Sequence, residues 1–168
     1  MNLKGLFVLL LFIILFSLHI HESVASNNFE AQVVKIIDGD SIWLKSNGMN
    51  FEIRLYGIDC PEHGQPYSNV AKKQVRRWIL GKTVKVHPLY RDKYGRLIAR
   101  IDDVDGEELS EKLVKNGLAW VHPAYCHKTV CSRWRDLELR ARERKKGLWF
   151  DASPVPPWKI KSSHHHYR

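Results

Sequence analysis

No stretch of this chain is apolar for long enough to cross a bilayer as a helix. The longest candidate, Gly5 to Leu18, stops short of the ~20 residues a spanning helix needs. No cysteine of the lipobox kind follows it, which leaves lipid anchoring without support. Internal repeats are absent. Cysteine is scarce, at three residues, so one is left over from any pair. Acids are outnumbered, 18 Asp and Glu against 27 Lys and Arg. The resulting +9 and a pI near 9.6 turn attention to polyanions, with nucleic acid and anionic lipid the two main candidates.

What is present fits one domain: 168 residues leave room for a single fold with its own core. Residues 1–25 read as a secretory signal peptide. Lys4 precedes the apolar run, and Ser23-Val24-Ala25 offers small residues for cleavage before Ser26. The expected destination is secreted or periplasmic; a membrane enters only if the segment stays uncleaved, as an amino-terminal anchor. Export implies an oxidising compartment. Cys126 and Cys131 then form a predicted local disulfide, which adds rigidity more than chain entropy because so few residues are enclosed. A zinc site of His122, Cys126, His127 and Cys131 is the alternative, although the spacing fits no familiar zinc pattern. The odd thiol, Cys60, reads as a small filler in a tight bend.

The chain is organised around Phe51 to Glu62. Phe51, Ile53 and Leu55 alternate with Glu52, Arg54 and Tyr56, the period of a half-buried strand. Gly57 ends the pattern, and Pro61 keeps a helix from running through Asp59 and Cys60. A guanidinium therefore sits on a strand, with Asp59 and Glu62 on the bend that leaves it. The plain reading is a strand-end salt bridge among Arg54, Asp59 and Glu62. The sharper one is a divalent cation held by carboxylates beside a phosphate held by a forked cation.

Two further segments favour the sharper reading: Asp38-Gly39-Asp40-Ser41 upstream and Asp92-Lys93-Tyr94-Gly95-Arg96 downstream. With Arg54-Leu55-Tyr56-Gly57-Ile58-Asp59-Cys60-Pro61-Glu62, their order and spacing over about residues 31–149 resemble the staphylococcal nuclease (thermonuclease) family. The resemblance implies a role for each matching position. Asp40 and Asp59, with the backbone carbonyl of Cys60, would ligate Ca²⁺. Glu62 would be the general base, and Arg54 and Arg96 would grip the phosphate. Lys93, Tyr94 and Tyr125 would contact bound nucleotide. The sequence departs from the family at two places. The loop after Glu62 is shorter than in the best-known member, and Pro123 stands where that member has a second base-pocket tyrosine.

The remaining pattern places the motifs. Strands are expected from Ala31, from Ser41, through Phe51–Tyr56, at Val84–Pro88 and at Leu97–Ile101, with a hairpin at Asn47-Gly48. Helices are expected after an N-cap at Ser68, over Leu109–Asn116, and over 132–146. Arg142 to Lys146 suits a helix carboxyl end. This gives an α+β chain, a five-stranded OB-fold barrel with three helices, over residues 26–150. Residues 151–168 are expected as an extended tail rich in proline and histidine, with Trp158 against the body.

The expected activity is an exported, calcium-dependent endonuclease acting on DNA and RNA with little sequence specificity, leaving 3′-phosphate ends. The alternative is an OB-fold that binds nucleic acid without cutting it. A monomer with no protein partner is expected.

Overall fold

A computed structural model describes residues 27–164. The expected signal peptide at residues 1–25 lies outside them, as does the end of the tail. Strand β1 spans Phe29–Ile36, followed by β2 (Ser41–Ser46), β3 (Met49–Leu55) and the two-residue β4 (Ile58–Asp59). Helix α1 spans Ser68–Ile79, and β5 (Thr83–Arg91) and β6 (Leu97–Asp102) follow. Then come α2 (Leu109–Lys115), β7 (Trp120–Val121), α3 (Val130–Glu143), a 3-10 turn at Gly147–Phe150 and α4 (Pro157–His164).

Five strands close a barrel in the order β1-β2-β3-β6-β5, with the last strand returning to β1. Every neighbouring pair is antiparallel except β3–β6, which is parallel. Period-two alternation fills the interior with Ala31, Val33, Ile42, Leu44, Ile53, Leu55, Val84, Val86 and Ile101, all buried. Two bulges bend the wall, between Val33 and Lys35 and between Pro88 and Tyr90. The second falls where Pro88 has no N–H to give the ladder. Asn47 and Gly48 both take positive φ, the conformation a two-residue hairpin demands.

Outside the barrel, β4 and β7 form a separate two-stranded sheet. Helix α1 presents Ala71, Val75 and Ile79 to the core, the stripe its spacing predicts. Its cap differs from expectation: Tyr67, in a left-handed conformation, precedes the helix, and Ser68 is its first, buried residue. The basic face of α1, Lys72, Lys73, Arg76 and Arg77, stays exposed.

Three further expectations are corrected. The described residues contain four α-helices, not three, and two short strands beyond the five of the barrel. The last long helix starts at Val130 and ends at Glu143, earlier at both ends than the basic run suggested. The tail is not extended throughout. Pro157 opens α4, a position where its missing N–H costs nothing because a first-turn donor has no helical acceptor. Trp158 does meet the body, its ring 4.8 Å from His122 and 6.4 Å from Trp120.

Candidate active site

The site begins with an aspartate turn. Asp38 Oδ1 accepts the N–H groups of Asp40 (3.0 Å) and Ser41 (2.7 Å), and so fixes the corner between β1 and β2. Gly39 is needed there for space: a Cβ would stand 2.6 Å from Cys60 Sγ. That close approach lets Asp40 Oδ2 accept the Cys60 N–H. Cys60 is thus a filler whose main chain, rather than its thiol, meets the site. Burial, with Asp40 adding to it, pushes the thiol well above its ordinary range, so nothing around it activates it as a nucleophile.

Arg54 projects from β3 toward both acids. Its Nη1 meets Asp40 Oδ1 and its Nη2 meets Asp59 Oδ1. Register explains why: Ser41 pairs with Arg54 across β2–β3, and Asp59 lies just beyond the end of β3 on β4. Both carboxylates are buried, at 1% and 3% exposed. Burial pushes Asp40 up to about 8, against the pull of Arg54, and Asp38 and Asp59 push the same way. The same acids hold the Arg54 guanidinium firmly charged despite its own burial. One fork therefore serves two carboxylates with a third nearby. Asp40 and Asp59 are hard oxygen donors of the kind a divalent cation takes, although among the described residues no group of three or more His, Cys, Asp or Glu forms a metal site.

Arg96 enters from the neighbouring strand. Parallel pairing sets Ile53 beside Leu97, which brings Arg96 level with Glu52, on the same outer face of β3 as Arg54. Arg96 Nη1 stands 4.0 Å from Glu52 Oε1. Asp92 holds the side chain, with Arg96 Nε and Nη2 both 2.9 Å from Asp92 Oδ2. Asp92 Oδ1 also takes the N–H groups of Tyr94 and Arg96, each at 2.9 Å. Burial works against this carboxylate, but the bonds from the Arg96 side chain and from the two main-chain donors outweigh it and hold Asp92 below the usual range.

The other predicted residues differ in depth and in the partners they meet. Glu62 is half-buried two residues beyond Cys60, its N–H donated to Gln65 Oε1 at 2.8 Å. Tyr94 is 72% exposed on the β5–β6 turn, with Lys93 Nζ 5.0 Å and the Arg96 guanidinium 5.7 Å from its ring. Tyr125, 62% exposed, belongs to the loop after β7 and lies against His122, ring to ring at 4.4 Å. A disulfide joins Cys126 to Cys131 beneath that loop. Tyr56 ties the loop to the barrel, its hydroxyl accepting from the His127 and Lys128 N–H groups at 2.9 and 3.1 Å. Direct contacts thus unite Asp40, Arg54, Asp59 and Cys60, while the β3–β6 register sets Arg96 beside Glu52, one position along the same face of β3.

Asp38, Asp92, Glu52 and Gln65 are the supports that motif reading passes over. Asp92 carries a signal, since Asp three residues before Gly95 marks a turn. Gln65 carries none: its role depends on Glu62 beside it and on the carbonyl of Val155, which its side chain reaches at 2.9 Å from far along the chain.

Comparison with known proteins agrees with this geometry. Residues 52–151 match the model of the staphylococcal nuclease homologue family. An uncharacterised endonuclease of Escherichia coli O157:H7 is 37% identical over 131 residues, which cover 78% of this chain and 84% of that protein. The micrococcal nuclease of Shigella flexneri is 30% identical over 140 residues, 79% of this chain and 80% of its own. A probable staphylococcal-like nuclease of Oryza sativa subsp. japonica is 37% identical over 108 residues, 64% of this chain but 31% of that longer protein. With the matched region running from the strand of Arg54 through the last barrel strand and beyond α3, the chain belongs to the staphylococcal nuclease family.

Proposed function

We propose that this protein is an exported, calcium-dependent endonuclease that hydrolyses phosphodiester bonds of DNA and RNA with little sequence specificity. The observation that carries the reading is the single Arg54 fork shared by the two buried acids, Asp40 and Asp59. A phosphodiester resists water because its charge repels nucleophiles and its leaving oxygen is a poor one. Cleavage needs charge neutralisation, a positioned water and a base.

Asp40 and Asp59, with the Cys60 main chain, are the residues that would hold Ca²⁺. When bound, the cation supplies positive charge to the phosphate oxygens and to the site's carboxylates. Arg54 and Arg96 stand on one face of the barrel wall. With Asp40 and Asp59 turned to Ca²⁺, the Arg54 fork that they now hold would be released, and its planar donors, with those of Arg96, would suit two oxygens of the same phosphate. Glu62 takes the proton from a water whose oxygen attacks phosphorus. The P–O5′ bond breaks, a 3′-phosphate remains on one fragment, and the O5′ of the other takes a proton from solvent water and leaves as a 5′-hydroxyl. No group in this scheme reads base edges, in keeping with low sequence specificity.

Export is supported by the amino-terminal segment and by the Cys126–Cys131 disulfide, which suits an oxidising compartment. The test is to incubate the protein with DNA and with RNA, in Ca²⁺ or in chelator, and to analyse the ends. Cleavage only with Ca²⁺, leaving 3′-phosphates, is expected. Glu62→Ala should keep the fold, by circular dichroism, and lower turnover about 10²–10⁴-fold. Unchanged turnover would remove Glu62 from the mechanism.

A further inference from the structure

A cleft of about 750 Å³ lies between α3, the 3-10 turn and the segment that leads into α4. Trp120 forms part of its wall. The Trp120 backbone pairs with Asp59 across β4–β7, so the cleft begins one strand from the buried carboxylates. Four cations line it: Arg135, Arg142, Lys145 and Lys159. Two acids, Glu138 and Asp151, line it as well, which leaves a surplus of two positive charges. Glu138 is already engaged, one oxygen with Arg142 and the other with the Val121 N–H at 3.1 Å. Arg135 is braced by a 2.9 Å bond from its Nη2 to the Cys126 carbonyl.

Aromatic rings run through the same region. From the exposed Tyr125 they pass to His122, then 4.8 Å to Trp158, 6.4 Å to Trp120 and 5.6 Å to Trp149. The Arg142 guanidinium caps the series 3.9 Å over the Trp149 ring. The buried Trp149 indole N–H finds no acceptor among the described residues. Cations along a groove with aromatic faces beside them is the combination that holds single-stranded nucleic acid without reading sequence: phosphates meet the cations and unpaired bases stack on the rings. A duplex keeps its bases stacked on one another, and a purely apolar partner would have to desolvate the cations.

We propose that this cleft is a second nucleic-acid subsite. It holds the single strand that runs on from the cleavage site, with Trp158 stacking a base and Arg135 and Lys145 holding phosphates. The identity of the ligand rests on the nuclease reading above. The consequence is tighter binding of a longer strand than the catalytic side chains alone would give.

Binding of two labelled probes by fluorescence anisotropy, in chelator so that nothing is cut, tests it. One probe is a dinucleotide; the other is an oligothymidylate long enough to run through both sites. Arg135→Ala/Lys145→Ala should weaken the long probe about tenfold and lower the slope of log affinity against log salt by ~1.4, at ~0.7 for each phosphate no longer neutralised. Trp158→Leu should weaken the long probe by a similar factor while leaving the salt slope as it is. The dinucleotide should shift less than twofold in each case. Equal weakening of both probes, no weakening of the long one, or a wild-type protein that prefers neither would overturn the subsite. Failure of the nuclease reading would look different: both probes bound as described, yet neither cut when Ca²⁺ is restored.

Discussion

Arg54 answers to two carboxylates through two different nitrogens, and that division of labour has a measurable cost if it is broken. A lysine at this position offers one compact charge and cannot span Asp40 and Asp59 together. Arg54→Lys is expected to leave one buried acid without its partner, lowering the melting temperature, and to cut turnover about 10²–10³-fold. Calorimetry and a cleavage assay on the same preparation read both effects. Asp92 tests the second arginine. Asp92→Ala frees the Arg96 side chain to explore other rotamers, and kcat/KM should fall about tenfold with little change in fold. A third residue reports on pH. Burial pushes Glu108, whose side chain caps α2 through the Glu111 N–H, from its usual 4.5 up to about 7. A group whose value rises on folding binds its proton more tightly in the native state. Its contribution is therefore complete below about 4.5 and is lost as pH climbs through 7. Glu108→Gln keeps an oxygen for the cap and removes the titration. Relative to wild type the variant should gain stability between about pH 4 and pH 8, by on the order of 3 kcal/mol at most. Urea melts at the two pH values give the comparison, and a constant difference would count against the account.

At the scale of elements, the segment from Arg54 to Glu62 is held by what packs under it. Gly57 has φ +71, and a Cβ there would stand 2.7 Å from Cys126 Sγ and 3.1 Å from the Trp134 ring. Its carbonyl accepts the His122 N–H at 2.8 Å. Gly57→Ala therefore strains the backbone and strikes the disulfide together. A loss of about 2–4 kcal/mol is expected in denaturant melts, with activity falling because Asp59 follows two residues later. This element is legible in the sequence for physical reasons. Strand alternation, the glycine stop and Pro61 are local signals, and the helix stripe Ala71, Val75, Ile79 is equally local. The turn aspartates are half-legible: Asp38 and Asp92 sit in turn positions, but only the fold shows which main-chain donors they take. The helix at Pro157 escapes because a run of prolines reads as extended until one of them is seen to occupy a first helical position. Glu138 stands four residues before Arg142, the spacing of an i,i+4 helix pair. Its burial and its bond to the Val121 N–H depend on β7 lying against α3, which no local pattern announces.

Across the whole molecule, two kinds of information meet. The barrel is readable because each strand carries its own alternation. The wall partners of Arg96 are not, because β3 and β6 are joined by register alone and lie far apart in the chain. Net charge acts at this scale as well. With +9 on the chain, the KM for a polyanionic substrate should rise steeply with added monovalent salt, while kcat changes far less.

The parallel seam between β3 and β6 also governs when the protein can act. Until the strand at Leu97–Asp102 has come home against Met49–Leu55, Arg54 and Arg96 do not share a wall, and no partial product of synthesis that ends before it can assemble the pair. A chain that stops short of this strand therefore lacks the wall on which the two guanidiniums meet, and the pair comes into being only as the barrel closes.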